Sequence, residues 1–598
     1  MTDRLGATLR DDGCRFLVWA PRPRTVALHR PGHPDVPMQR DAEGYAHVHV
    51  DGMRAGDRYA YRLDGEPRPD PASRWQPDGV HGLSAVVDPS GFGWLHDGPV
   101  APPLAELVLY ELHVGTFTAE GTFDGATRAF DGLRDLGVNA LEPLPIGQFP
   151  GARNWGYDGV QPFAVQQSYG GPDGFRRFVD AAHAAGLGVV LDVVYNHLGP
   201  EGNYLAEFGP YFTDRHQTPW GAALNFDGPD SDHVRRYFLE NALMWLHEYH
   251  VDGLRLDAVH AIVDSSAYPF LAELADVIHG AAAELGRRGY VIAEANLNDP
   301  RVIRPRAQGG WGHDAQWSDD FHHALHSALT GERNGYYADY GTLDHLARAY
   351  GRGFVYAGEH STFRKGRYGA PPDGVRGEQL VVSTQTHDQV GNRVRGERLS
   401  SLVGFEDLKL AAVAMLCGPC TPMLLMGEEH GERAPFHFFT SHGDAELIGA
   451  VGRGRIYEFA AFDWQGDSPD PQSEETFRMS VLTPPERWTD EQRVLRRLHG
   501  ELLRLRRTMP ALRDRTLDPE LVRVEPDEVL VVRRPGPPDA LLVLALAGDA
   551  EAAVPGRWRV VLDTAHADWN GPGSRRPEII TDRMPVHGRS AVLLERRT

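Results

Sequence analysis

The chain has 598 residues, more than a single hydrophobic core accommodates, and this length predicts three or four domains. With 41% hydrophobic and 24% charged residues it is typical of a soluble globular protein, and its formal net charge of -22 argues against nucleic acid or an anionic membrane as a partner. The N-terminus lacks the apolar core of a signal peptide, and the longest apolar run is interrupted by Pro419 and Pro422, so we expect a cytoplasmic protein without a membrane span.

Three regions follow one another along the chain. Residues 1–95 alternate short apolar runs with turns rich in Gly, Pro and Asp, a pattern typical of an N-terminal β-sandwich. Across residues 96–515, strand-like runs alternate with helical periodicity eight times, which predicts a (β/α)8 TIM barrel. Residues 516–598 return to short β-like runs and are interpreted as a C-terminal β-sandwich domain. The predicted fold class is therefore α/β.

The strand-like runs of the barrel, in order, are residues 108–117, 138–146, 188–197, 251–260, 289–296, 315–323, 379–388 and 421–429. The predicted helices are residues 173–185, 231–250, 268–285 and 491–507, and Ser231 is interpreted as the N-cap of the second. The segment after the third strand, about residues 198–230, is rich in Gly, Pro and aromatic residues and lacks periodicity. Loops of that length are usually functional, so we treat it as an inserted loop subdomain.

Carboxylates and imidazoles cluster at the C-terminal ends of these strands, which is the active-site face of a TIM barrel. Like charges held close together destabilise a fold, so a ring of them indicates a site rather than a stabilising feature. The ring consists of Asp192, Asn196 and His197 on strand three, Arg255, Asp257 and His260 on strand four, Glu294 on strand five, Asp319, Asp320, His322 and His323 on strand six, and His387 and Asp388 on strand seven.

Two reaction classes suit such a ring. A metal hydrolase would use it as ligands, and His247 and His250 have helical spacing, but they end the helix before strand four, on the opposite face of the barrel. Glycoside cleavage needs one carboxylate kept ionised by a cation and a second in an apolar setting. Asp257 has Arg255 two residues before it on the same strand face, and Glu294 follows the apolar V-I-A, so both requirements are met.

A sugar site also needs hydroxyl-binding carboxylates and aromatic faces. Asp388 is a candidate for the first role. Because a single aromatic residue is more often part of a core than a sugar platform, the aromatic candidates remain alternatives to one another. They are Trp155, Tyr157, Tyr195, Tyr211, Phe212 and Trp220.

Four motifs fall in order on strands three, four, five and seven: D-V-V-Y-N-H, G-L-R-L-D-A-V-H, I-A-E-A-N and T-H-D-Q-V-G-N. They resemble the four signature regions of the α-amylase-type glycoside hydrolases. The resemblance implies a retaining mechanism with Asp257 as nucleophile, Glu294 as acid/base and Asp388 as stabiliser of the transition state. It also implies a substrate-binding set made of Tyr157, Asp192, His197, Arg255, His260, His387, Gln389 and Asn392.

A narrower resemblance rests on the N-terminal module and on W-S-D-D-F-H-H-A-L-H-S-A-L-T-G-E at residues 317–332. The N-terminal module resembles those of branching and debranching enzymes of this family. Together with the segment at residues 317–332, it makes the chain similar to family members that hydrolyse the α-1,4 bond next to the terminal trehalose unit of malto-oligosyltrehalose. The implied ligands are malto-oligosyltrehalose and α-1,4-glucans. Val259 stands where relatives often have lysine, so a sugar contact by that lysine is absent. The implied acceptors of the trehalose end are the loop after strand three and Asp319, Asp320, Phe321, His322 and His323.

No cofactor and no required metal are predicted. Many α-amylases bind calcium through the asparagine of the first motif, and Asn196 is present, but the loop that follows offers only scattered acids, namely Glu201, Asp214, Asp227 and Asp230. Cys417 and Cys420 form C-G-P-C between a helix-like and a strand-like run, which is the reverse of the order around a thioredoxin-type motif, so we interpret it as a turn.

Two alternatives remain open. A branching or debranching enzyme of the same family would share the three acids and the N-terminal module, and product analysis separates them. A non-catalytic glucan-binding protein belongs to a different class. The presence of Asp257, Glu294 and Asp388 together with their Arg and His neighbours argues against it.

Overall fold

The centre of the molecule is a closed barrel of eight parallel strands, as predicted. The structure is a computed structural model that describes residues 4–96, 98–460, 462, 468–574 and 576–597. Each barrel strand is short, apolar and buried, as expected for strands covered on both sides. We number them β1 (Leu109–Leu112), β2 (Ala140–Pro143), β3 (Gly188–Val193), β4 (Gly253–Leu256), β5 (Tyr290–Ala293), β6 (Ala315–Trp317), β7 (Leu380–Val382) and β8 (Thr421–Leu425).

Helices surround the barrel. The last long one begins with a capping box, in which the Thr489 hydroxyl accepts from the backbone N–H of Gln492 and the Gln492 side chain accepts from that of Thr489. The longer helices are α1 (Gly171–Ala184), α2 (Ser231–Glu248), α3 (Phe270–Glu284), α4 (Asp319–Thr330), α5 (Leu343–Arg352), α6 (Phe405–Leu416), α7 (Ala445–Ala460) and α8 (Asp490–Thr508). Shorter helices span Val114–Phe117, Phe123–Thr127, Phe130–Leu136, Leu205–Phe208, His387–Gly391, Leu399–Leu402, Glu474–Met479 and Pro510–Arg513.

The structure corrects four details of the sequence analysis. Strand β7 ends at Val382, so His387 and Asp388 lie on a short helix beyond it and not on the strand. No α-helix links β5 to β6, where a 3-10 turn at Arg306–Gln308 follows a segment with prolines at 300 and 305. Strand β6 ends at Trp317, so Asp319 and the four residues after it open helix α4, where the helix dipole favours acidic residues. Ser231 is the first residue of α2, not its N-cap.

The outer sheets flank the barrel. The N-terminal strands are Gly6–Arg10, Gly13–Trp19, Tyr45–Asp51 and Gln39–Arg40 in one sheet, with Val36–Pro37, Val26–His29, Arg58–Leu63, Glu66–Arg68 and Ser84–Ala85 in the other. The C-terminal strands form one six-stranded antiparallel sheet with its own apolar core. In spatial order they are Val522–Glu525, Val529–Arg534, Ala540–Ala545, Ser590–Arg596, Ala550–Asp563 and Ile579–Val586.

The long segment after β3 has its own secondary structure. It carries the short helix Leu205–Phe208 and a hairpin of Phe212–Thr218 with Gly221–Leu224. Trp220 lies in the turn of this hairpin and its side chain stacks on His197 with ring centroids 4.9 Å apart. The hairpin therefore reaches the C-terminal ends of the barrel strands.

The C-G-P-C segment is a helix-to-strand turn, as predicted. Helix α6 ends at Leu416 and β8 begins at Thr421, and both cysteines are buried. The Arg506 guanidinium donates to the carbonyl oxygens of Leu416 and Gly418 at 3.0 and 2.8 Å, which satisfies the end of the helix. Across the described residues, no helix combines the length and the apolar composition that crossing a membrane requires.

Candidate active site

Arg255 is the centre of the charged cluster at the C-terminal end of the barrel. Its Nη1 donates to Asp192 Oδ2 at 2.7 Å and to Asp257 Oδ1 at 3.0 Å, and its Nη2 lies 3.5 Å from Glu294 Oε2. The guanidinium packs 4.2 Å from the centre of the Trp317 ring. One fully buried cation therefore contacts three carboxylates that sequence analysis placed on three different strands.

Asp257 has a hydrogen-bond donor on each carboxylate oxygen. Arg255 contacts Oδ1, and the side-chain amide of Asn196 donates to Oδ2 at 2.6 Å. The same amide donates to the Asp257 backbone carbonyl at 2.8 Å. Donors on both oxygens favour the ionised form of a carboxylate, which is the form that a nucleophile requires.

Glu294 lies beside Asp257 on the neighbouring strand end. Leu256 of β4 pairs with Ala293 of β5, so the two acids that follow them lie at neighbouring strand ends. Burial raises the pKa of Glu294 to about 8; Arg255 opposes the shift, and nearby carboxylates including that of Asp257 add to it. A carboxyl group that stays protonated at neutral pH can act as a general acid.

One side of the cluster has an aromatic and imidazole wall. The Tyr157 hydroxyl donates to Asp192 Oδ2 at 2.7 Å, and the Tyr157 ring stacks on that of His387 with centroids 5.2 Å apart. His197 Nε2 lies 3.0 Å from the Tyr157 carbonyl, and burial lowers the pKa of His197. Burial raises the pKa of Asp192 to about 6, against the effect of Arg255. This wall presents hydrogen-bonding groups next to an aromatic face, an arrangement suited to a sugar ring.

His387 and Asp388 are the first two residues of the short helix His387–Gly391, which follows β7. Nε2 of His387 is 3.4 Å from Asp388 Oδ1, and its Nδ1 is 2.5 Å from Oε1 of Glu111 on β1. Burial disfavours the imidazolium, but the Asp388 and Glu111 carboxylates outweigh it and raise the pKa of His387 to about 9. The Asn392 amide lies 3.4 Å from Asp388 Oδ1.

The five residues of the predicted acceptor segment, Asp319 to His323, lie in different environments. Asp319 is half-buried and lies 3.4 Å from the Gln389 amide nitrogen, and burial, with Asp388 next in effect, raises its pKa to about 6. Three others face the protein interior. Asp320 accepts from the Asn298 amide at 2.7 Å and from backbone N–H groups of the loop after α5. Phe321 is buried, and the two ring nitrogens of His322 contact Thr384 O and Tyr337 Oη.

His323 is buried, whereas His260 is partly exposed. His323 stacks on Tyr336 with ring centroids 4.6 Å apart, and burial lowers its pKa to about 3. His260 is half-buried beside Asp257, and its Nδ1 has no hydrogen-bond partner within the described part of the chain. Burial lowers the pKa of His260, so both imidazoles are neutral at neutral pH.

Some of the aromatic candidates line the charged cluster, and most of the others are buried in the core. Tyr157 and the 49% exposed Trp220 line the cluster. Trp155 is buried against Phe436, and Tyr195 and Tyr211 are buried in the core. Phe212 is half-buried at the start of the hairpin. Periodicity could not separate these cases because all of them lie in loops or at strand ends.

Sequence reasoning missed several groups that surround the cluster. Glu111 and Glu142 lie next to each other on β1 and β2 and are buried beneath it. Trp317 packs on Arg255, and the Arg364 guanidinium donates to the Asn296 carbonyl at 3.0 Å. A glutamate in the middle of an apolar strand, as in L-Y-E-L and A-L-E-P, was the available signal for the first two.

The residues expected around a family calcium site do not fit a hard cation. The amide oxygen of Asn196 is hydrogen-bonded to His197, and Asp227 is paired with Arg215 and His216 at 3.2 Å each. Glu201 accepts from the backbone N–H of Gly443. Ca²⁺ needs several free oxygen ligands in one place, which these contacts do not leave. In the described ranges, the one group of three or more His, Cys, Asp or Glu within ligating distance is the exposed Asp12, His49 and Asp51.

The chain is similar to several known proteins. The family model described as Alpha amylase, catalytic domain matches residues 84–220. The malto-oligosyltrehalose trehalohydrolase of Saccharolobus solfataricus is 49% identical over 80% of this chain and 83% of its own. That of Arthrobacter ramosus is 48% identical over 88% of this chain and 93% of its own. A crystal structure described as an alpha amylase from Salmonella typhimurium covers 100% of both chains with 37% identity and a TM-score of 0.90.

Proposed function

The chain belongs to the malto-oligosyltrehalose trehalohydrolases of the α-amylase family, and we propose that it hydrolyses the α-1,4 bond next to the terminal trehalose unit of malto-oligosyltrehalose. The products are trehalose and a malto-oligosaccharide. The observation that carries the chemistry is the Arg255 guanidinium, which contacts both Asp257 and Glu294 on adjacent strand ends. The preference for a trehalose end rests on family membership.

In the first step, an Asp257 oxygen attacks the anomeric carbon and the bond to the leaving oxygen breaks. The protonated Glu294 carboxyl donates its proton to that oxygen, and trehalose leaves. Arg255 and Asn196 each donate a hydrogen bond to the attacking carboxylate and fix its orientation. The result is a covalent glycosyl-enzyme and an ionised Glu294.

In the second step, the Glu294 carboxylate accepts a proton from water, and the water oxygen attacks the anomeric carbon. The ester bond to Asp257 breaks and the sugar leaves with its original configuration. Both steps pass through a positively charged sugar ring. Asp388 is proposed to stabilise that charge, because it lies on the same face of the barrel and is held near the positively charged His387.

The remaining groups bind the two parts of the substrate. We assign Tyr157, Asp192, His197 and His387 to the sugar ring that becomes attached to Asp257, since they form one wall beside that carboxylate. We assign Asp319 and the half-buried His260 to the trehalose side. Gln389 and Asn392 contact Asp319 and Asp388 respectively and are assigned to orienting them.

Asp320, Phe321 and His322 receive a supporting role in this proposal. Their polar atoms have protein partners, and Asp320 fixes the loop that follows helix α5. They therefore hold helix α4 in place so that Asp319 faces the active-site cleft. We use this term for the space at the C-terminal end of the barrel beside Asp257, Glu294 and Asp388. His323, stacked on Tyr336, connects the same helix to the next loop.

The test compares two substrates: a malto-oligosaccharide that ends in trehalose and one of the same length with an ordinary reducing end. We expect fast release of trehalose from the first and slow cleavage of the second. Equal cleavage of both would make the enzyme a general α-1,4-glucan hydrolase. Transfer of chains into α-1,6 linkage without trehalose would identify a branching enzyme, and either result would overturn the proposed specificity.

A further inference from the structure

Glu111 is a buried residue whose carboxylate makes two hydrogen bonds with His387. Its Oε1 lies 2.5 Å from His387 Nδ1, and its Oε2 accepts the backbone N–H of His387 at 3.0 Å. Glu111 is 2% exposed and His387 is 1% exposed. An isolated carboxylate at such a position would be strongly disfavoured, so this pairing is a substantial constraint on the ring.

The contact fixes which nitrogen of His387 faces the cleft. Because Nδ1 is directed at Glu111, Nε2 points toward Asp388 at 3.4 Å. The Tyr157 ring covers one face of the imidazole with an interplanar angle of 15°. Rotation of the ring would break the contact between the Glu111 carboxylate and Nδ1. Glu111, on strand β1, therefore determines the orientation of Nε2.

The charges around His387 also favour its protonated form. Glu111 and Asp388 lie on either side of the ring and favour its positive charge, while Arg255 opposes it. The nearby His113 is neutral at neutral pH, because burial lowers its pKa to about 4. Glu142, next to Glu111 on β2, is the other titratable neighbour, and burial raises its pKa well above the usual range, so it is a neutral acid at neutral pH. Glu111 is therefore the buried carboxylate that favours the protonated form of His387.

We propose that Glu111 is a positioning residue that keeps His387 doubly protonated, with its Nε2–H directed at the sugar ring bound beside Asp257. This inference rests on the proposed function, in which His387 contacts that ring. Glu111 itself touches no substrate and acts through His387. The arrangement supplies a charged donor, which forms a stronger hydrogen bond to a sugar oxygen than a neutral imidazole does.

The primary test measures His387 directly, by ¹⁵N NMR of the histidine rings with the His387 signals assigned by their loss in His387→Ala. We expect both ring nitrogens of His387 to carry protons at neutral pH in the wild-type protein. In Glu111→Gln, which keeps the size of the side chain and removes its charge, we expect the pKa of His387 to fall. A neutral His387 in the wild-type protein would overturn the proposal even if the variant failed to fold.

Kinetics provide the second readout. We expect Glu111→Gln to lower kcat by about tenfold or more, since loss of the carboxylate that orients a catalytic imidazole has large effects in other enzymes. Its alkaline activity limb should also move to lower pH, and Glu111→Asp, which keeps the charge, should partly restore the wild-type profile. Glu142→Gln is the matched control, because it is equally buried and already neutral, and its pH profile should match that of the wild type.

An unchanged His387 pKa and pH profile in a folded Glu111→Gln variant would show a purely structural role and overturn the proposal. The NMR measurement needs no substrate. It therefore remains decisive even if product analysis shows that the enzyme does not release trehalose, and the two proposals can fail independently.

Discussion

The backbone N–H of Ala258 donates a 2.6 Å hydrogen bond to Oε2 of Glu294. Ala258 follows Asp257 directly and has a φ of 39°, a left-handed conformation that is uncommon outside glycine. Strained backbone of this kind persists where the surrounding structure holds it, often at functional sites. Here the turn after the proposed nucleophile presents a donor to the proposed acid, so the positions of the two carboxylates are coupled through one peptide.

The pH dependence of activity should follow the protonation of Glu294. The first step needs the protonated carboxyl, which is present below its pKa of about 8 and is lost above it. We therefore expect kcat/KM to be sustained through neutral pH and to fall as the pH rises through about 8, before the His387 imidazolium is lost at about 9. Steady-state kinetics across neutral and alkaline pH provide the measurement. A loss of activity already near pH 4.5, the ordinary value for glutamate, would contradict the prediction.

The raised pKa of Glu294 also predicts how the stability of the folded protein depends on pH. In the unfolded chain Glu294 ionises above about 4.5, while in the folded protein it stays protonated up to about 8, so the folded state loses stability as the pH rises through this window. Replacement by the neutral Glu294→Gln should raise Tm relative to the wild type at pH 8 and change it little at pH 4.5. Thermal unfolding at the two pH values tests this. A Tm difference that is independent of pH would indicate another cause.

Asp257→Asn should abolish hydrolysis while the fold is kept. The amide cannot form the covalent intermediate, and loss of a covalent nucleophile lowers kcat by on the order of 10⁴-fold or more. Arg255 keeps its 2.7 Å bond to Asp192, so the buried cation is still paired. Single-turnover kinetics and circular dichroism measure the two effects. Wild-type rates in this variant would assign the nucleophile to another residue.

Asp319 and Asp320 are adjacent in sequence and should respond in opposite ways. Asp319→Asn changes a side chain near Asp388 with few protein contacts, so we expect lower activity on trehalose-ended substrate and no decrease in Tm. Asp320→Asn weakens bonds to Asn298 and to the loop after α5, at a cost of about 1–3 kcal/mol in the free energy of unfolding. Each variant is the control for the other. Equal effects on Tm would contradict the assignment of Asp319 to the cleft and of Asp320 to the protein interior.

The cysteines of the C-G-P-C turn should be inert in the native protein. Burial raises the pKa of Cys417 to about 12 and that of Cys420 to about 11, and only the thiolate is reactive. We expect a thiol reagent to modify them slowly before unfolding and rapidly after it, and we expect Cys417→Ala with Cys420→Ala to retain full specific activity. Activity that depends on added reductant or oxidant would restore the redox interpretation.

The sequence by itself determined the barrel and the residues that could form its site. A buried strand in a parallel sheet is a short apolar run, and parallel strands bring all their C-terminal ends to one face, so the motif residues had to converge there. The two-residue spacing of Arg255 and Asp257 placed them on one strand face, and the structure pairs them at 3.0 Å.

Tertiary structure alone decided which groups meet across the barrel and which face the cleft. Strand β6 gives way to helix α4 at Asp319, and a helix turns successive side chains through about 100°, so of two adjacent aspartates only one reaches the cleft. Glu111 and His387 are 276 residues apart in the chain and become partners because barrel closure brings β1 near β7. Local patterns determine strands and helices, but a contact between distant strands depends on how the whole sheet closes.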